Sequence, residues 1–153
     1  MTTSAVFAFL HFVAVFGVVA TVFLEWQTMS PSPSRAEALR LQRCDRWYGL
    51  FALMLVVVGL LRVYRFEKGS AFYFANPFFQ AKLGLFIAVG LLSIYPTVRF
   101  VKWRAAMKSG AAPTVPDAEY RTLRTVLRLE LILLAAIVAC AAMMARGVGL
   151  RPS

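Results

Sequence analysis

Histidine occurs once in this chain, at position 11, and cysteine twice, at positions 44 and 140. That scarcity excludes most metal chemistry. Neither cysteine stands at ligand spacing from the other or from His11, so no zinc or iron–sulfur site can be assembled. Cys44 precedes the second apolar run and Cys140 lies inside the fourth; at such different depths they are not expected to form a disulfide. The HExxH, GxSxG and P-loop patterns are absent, and hydrolytic and metal-dependent reactions lose their usual machinery with them. Acidic residues are few, 7 against 17 Lys and Arg, giving a formal net charge of +10. No nucleic-acid motif accompanies that excess, so no nucleic-acid partner is expected. The basic residues flank apolar runs instead, the pattern of positive-inside loops facing a lipid bilayer with anionic head groups. No repeat, low-complexity tract or long linker divides the 153 residues, which are read as a single transmembrane domain, 1–153.

What the chain has in abundance is apolar sequence: 60% of residues are hydrophobic and the mean hydropathy is +0.69. Such a composition points to an integral membrane protein. A helix crosses a bilayer with roughly 20 mainly apolar residues, and four runs of suitable length are expected as spans, at about 5–26, 47–63, 78–100 and 126–144. The first lacks a basic leader and an A-x-A cleavage site and ends in Glu25-Trp26, so it is read as a retained span rather than a signal peptide. Met29-Ser-Pro-Ser-Pro-Ser34 breaks the chain, and Ser34-Arg-Ala-Glu37 is a capping box that starts the second helix outside the lipid. The connector from Phe66 to Pro77 is aromatic, with turn signals at Gly69 and Asn76-Pro77. Its Phe72, Tyr73 and Phe74 suit either a head-group anchor or a lid between helices. Pro96 is expected to kink the third helix near its end, with helix continuing to Gly110. Residues 111–116 form a loop, and Asp117 and Glu119 open the fourth helix.

Orientation follows from charge. Arg35, Arg40, Arg43, Arg46, Arg99, Lys102, Arg104, Lys108, Arg121 and Arg124 fall on one side; Arg62, Arg65, Lys68, Arg146 and Arg151 fall on the other. Ten against five puts the first and third connections in the cytosol and both termini outside. The expected fold is therefore all-α: a four-helix up-down bundle with helices 2–4 extended into the cytosol.

Intramembrane ionisable residues mark candidate sites. His11 and Glu25 are 14 positions apart, about −40° after four helical turns, so they share one face of helix 1 with Ala14, Val18 and Thr21. The small Ala14 and Gly17 suit close helix packing. His11, Lys82 and Arg62 form an outer, basic layer. His11 can hydrogen-bond across the bundle, ligate haem iron, or accept a proton. Its second axial partner would be Met54, Lys82, water or a second chain. Lys82 can contact a propionate, ligate iron when neutral, or snorkel to the interface. The inner layer holds Glu25, Asp45, Arg99, Arg128 and Glu130. Glu25 and Glu130 are expected either to be neutralised structurally by Arg99, Arg128 or Arg46, or to relay protons.

The segments FLHFVAVF from Phe9, LRLQRCDRWYG from Leu39, GLLRVYRFEKG from Gly59, NPFFQAKLGLF from Asn76 and LLSIYPT from Leu91 resemble a bacterial membrane-protein family, domain of unknown function 2214. The similarity covers nearly the whole chain and carries no assigned activity. More distantly, the layout resembles a group containing the copper-resistance protein CopD and the bacterial protoporphyrinogen oxidase HemJ. That resemblance implies a first-helix histidine and a later-helix lysine associated with haem, matched here by His11 and Lys82. HemJ-like chains have a Tyr-His pair where this one has Tyr95-Pro96.

The expected function is a haem- or porphyrin-binding, redox-active bundle, with haem b as cofactor, His11 as iron ligand and Lys82 and Arg62 as further contacts. The alternatives are a small-solute or ion transporter, which with four helices would need a homo-oligomer, and an accessory subunit of a membrane complex.

Overall fold

The computed structural model describes residues 3–66, 76–146 and 148. Among them are four α-helices, a π-helical turn and no strand. Helix α1 spans Thr3–Thr28, α2 spans Arg35–Leu61, α3 spans Pro77–Lys108 and α4 spans Asp117–Ala145; the π-helical turn, Arg62–Phe66, continues α2. All four are long and apolar enough to cross a membrane. Each expected span lies inside one helix, the second running into the π turn. The aromatic connector with Gly69, Phe72, Tyr73 and Phe74 lies outside the described residues, as do Lys68 and Arg151.

Local chemistry sets the helix ends. The Ser34 hydroxyl accepts from the Glu37 backbone N–H at 3.2 Å, and the Glu37 carboxylate accepts from the Ser34 N–H at 2.7 Å, completing the capping box of α2. Asn76 caps α3 by accepting from Phe78 N–H at 2.9 Å, with Pro77 in the first turn, where its missing donor costs nothing. Helix α3 continues through Pro96 to Lys108 and ends at Gly110, whose φ of 84° is the left-handed conformation glycine tolerates best. Helix α4 begins after Pro116 without a side-chain cap, and Asp117 and Glu119 in its first turn complement the dipole instead.

Packing is most extensive between α1 and α2 and between α3 and α4; the α1–α4 and α2–α3 seams are thinner. Between α1 and α2 the Phe51 ring packs onto Gly17, where a Cβ would overlap it. The buried core gathers Val18 and Val22 of α1, Leu41 of α2, Phe100 of α3 and Leu123 and Leu127 of α4. Phe9, Phe12 and Phe16 of α1, Leu53 of α2, Leu91 and Ile94 of α3 and Ile132 of α4 point outward. On helices of spanning length, such outward apolar faces suit lipid.

Cross-helix contacts define two ends of the bundle. At one, His11 of α1 lies against Gly59 of α2. At the other, Gln42 of α2 donates to the Phe100 carbonyl of α3 at 2.5 Å, and Arg124 of α4 donates to the Trp26 carbonyl of α1 at 3.0 Å. Along α1, His11 and Glu25 are separated by about 21 Å at 1.5 Å per residue.

Candidate functional site

The histidine end brings together the three residues of the outer layer. His11 is half-buried, and a Cβ built on Gly59 would sit 3.7 Å from its Cε1 and 3.9 Å from its Nδ1. Nδ1 is itself buried and has no hydrogen-bond partner. Arg62, in the π-helical turn, and Lys82, in the second turn of α3, are both within electrostatic reach of the imidazole. The Lys82 ammonium also lies 5.1 Å from the centroid of the Phe79 ring, a cation–π distance. Three separate elements thus deliver one imidazole and two cations to a common corner.

The carboxyl end is built differently. Glu25 and Glu130 are 2% and 1% exposed, so each is enclosed as fully as the hydrophobic core around it. Each has one carboxyl oxygen, Oε1, buried without a hydrogen-bond partner. Asp45 and Tyr48 of α2 lie close enough to interact electrostatically with both. Asp45 accepts a hydrogen bond from the Thr97 hydroxyl of α3 at 2.5 Å.

Among the described residues, the arginines expected near Glu25 and Glu130 have other surroundings. Arg99 pairs with Glu119 at 3.4 Å and lies over the Tyr95 ring, while Arg46 and Arg128 occupy exposed faces. Arg124, six residues before Glu130 on α4, holds the Trp26 carbonyl and stacks 4.7 Å from that ring. Arg128 is exposed and Arg99 partly so, and long cationic side chains reach water or interface more cheaply than they enter an apolar interior.

Between α2 and α3 the thin seam opens into a groove of about 440 Å³. Its wall is mostly apolar, through Ala52, Leu53, Val56 and Phe86, and turns polar where Asp45, Tyr48, Ser93 and Thr97 line it. Tyr48 and Ser93 were not singled out from sequence. The signal for them was there: Gln42, Asp45 and Tyr48 recur every third residue on α2, placing three polar groups on one inward-facing stripe. Cys44 and Cys140 are free thiols, and no group of three or more His, Cys, Asp or Glu among the described residues is arranged to hold a metal ion.

These features define a class: an all-helical membrane protein with four spanning-length helices and ionisable groups enclosed at both ends. Within that class the chain belongs to the family described as predicted membrane protein DUF2214, whose profile matches residues 3–149. No curated protein and no solved structure matches it.

Proposed function

We propose that this protein is a multi-pass inner-membrane bundle that binds haem or a related porphyrin at its histidine end. The observation that carries the reading is the lone imidazole, with Nδ1 buried and unpartnered, beside two basic side chains from two other elements. An iron porphyrin calls for that set of groups: a neutral nitrogen ligand for the metal and cations for two propionate carboxylates. His11 would supply the axial nitrogen, and Arg62 and Lys82 would hold the propionates. Bound haem would add one-electron iron chemistry within the membrane. The chain's own task is to position the imidazole against Gly59, to neutralise the propionates, and to exclude water with the apolar faces of α1, α2 and α3.

In the same reading the bundle runs up-down. Its basic helix ends, from Arg35 to Arg46 and from Arg99 to Arg124, face the cytosol and anionic head groups, and its termini are periplasmic. The bilayer core is about 30 Å thick, whereas the 32 residues of α3 extend about 48 Å. That surplus supports cytosolic extension of the helices.

The test is a visible spectrum of protein purified in mild detergent, oxidised and then reduced with dithionite. The expected result is an intense Soret band that shifts on reduction and is lost in His11→Ala, with weaker haem retention in Arg62→Gln and Lys82→Gln. A flat spectrum that persists after haem is supplied to the membranes overturns the reading, and so does an unchanged band in His11→Ala.

A further inference from the structure

We propose that Glu25 and Glu130 form a proton-binding site, loaded from one end of the bundle through the groove between α2 and α3. This goes beyond the haem reading and does not depend on it.

The argument starts from enclosure. Both side chains are almost completely buried, on different helices, and each has an oxygen with no donor directed at it. An ionised carboxylate in such surroundings would need a cation or several N–H donors to balance its lost hydration. None is present. The charged and titratable neighbours on every packed element bear this out. From α2 come Asp45 and Tyr48, with Cys44 beside Glu25; from α3 comes Arg104, acting on Asp45; α1 and α4 contribute the two glutamates themselves. The nearby arginines Arg99 and Arg124 are held by Glu119 and by the Trp26 carbonyl. A metal ion does not fill the role, because the described acids do not converge on a common point at ligand geometry. The remaining ligand that satisfies an orphaned carboxyl oxygen is a proton, which converts acceptor to donor and removes the charge.

Access is the second, independent observation. Asp45 and Tyr48 line the α2–α3 groove together with Ser93 and Thr97, and both lie within electrostatic reach of the two glutamates. A water needs two to four polar partners to be held, and these four side chains supply them in a groove of about 440 Å³. Asp45, already accepting from Thr97, is placed to pass a proton between groove water and the buried pair.

The experiment uses the full-length protein in detergent and N,N′-dicyclohexylcarbodiimide, an apolar reagent that adds to a protonated carboxyl and spares an ionised one. Peptide mass spectrometry at neutral pH is expected to find the adduct on Glu25 or Glu130, and not on the exposed capping carboxylate of Glu37. In parallel, the infrared difference between wild type and Glu130→Gln is expected to contain the carbonyl stretch of a protonated acid. Asp45→Asn is expected to slow the deuterium shift of that band several-fold. Adducts absent from both glutamates, or a difference spectrum containing only ionised carboxylate bands, would overturn the proposal. An unchanged exchange rate in Asp45→Asn overturns the groove as the route. Gln matches the size and neutrality of a protonated Glu. Should it nonetheless fail to fold, the wild-type adduct map decides the question alone.

Discussion

At the histidine end, a half-buried imidazole and two cations meet in a corner formed by α1, α3 and the end of α2. At the carboxyl end, two acids are almost completely buried, with a third lining a groove. The first arrangement leaves its charged groups only partly buried, where water can reach them. The second encloses its polar groups so fully that their charge must be removed or matched. The contrast shows that burial, more than residue type, decides which polar groups in a bundle are inert and which must bind something.

The largest expected effect tests whether the carboxyl end is also the mechanical anchor. Phe100→Ala removes a fully buried ring there and should cost about 3–5 kcal/mol of unfolding free energy in a detergent titration. Phe79→Ala, at the histidine end and slightly exposed, should cost less. Equal losses would erase the distinction in packing. Next comes Gly17→Ala, midway between the ends on α1. The added methyl must displace the Phe51 ring, so a destabilisation of about 1–3 kcal/mol is expected from the same titration. If the loss is negligible, α1 and α2 approach less closely than described.

Smaller still is Ser34→Ala, which removes half the capping box leading into the carboxyl end, with an expected cost of about 1 kcal/mol. Its partner Glu37 precedes the apolar run of α2 and is exposed. Hydrogen bonds from the Ser34 backbone and hydroxyl hold its carboxyl below the ordinary value of 4.5. A depressed carboxyl stabilises fully above that ordinary value and loses its contribution as pH falls through the lowered one. The Ser34→Ala difference should therefore shrink when stability is measured under acid conditions, and a difference that grows would reverse the assignment. The smallest effect belongs to Arg99→Ala. Its pair with Glu119 is partly exposed, so at most about 1 kcal/mol is at stake. A loss several times larger would mean that Arg99 also serves the buried acids.

Much of the fold was legible because its signals are local. The capping box at Ser34–Glu37, the break at Met29–Ser34, the loop at 111–116 and the stop at Gly110 each depend on a few adjacent residues. The shared face of His11 and Glu25 follows from helical period, and α1 buries Ala14, Val18 and Thr21 on that stripe. Pairings across helices were less legible. Residue types alone allowed Arg99 to meet Glu130, but the rotation of α3 about its axis sends it to Glu119, and that rotation is set by the packing of Phe100 and Trp103. The π turn at Arg62–Phe66 gave no composition signal either. It changes the hydrogen-bond register of a segment whose residues would suit an ordinary helix.

The contact between Arg124 and Trp26 has a consequence for assembly in the membrane. It joins residues 98 positions apart, and it fastens the last helix to the end of the first. As the chain emerges N-terminus first, α1 and α2 can pair as a hairpin long before α4 is made. Until then the Glu25 carboxyl lacks its α4 cover, and the Trp26 carbonyl lacks the guanidinium that caps it. A hairpin holding an uncovered acid is poorly suited to free release into lipid. The order of synthesis is thus tied to the order in which the acids are sealed.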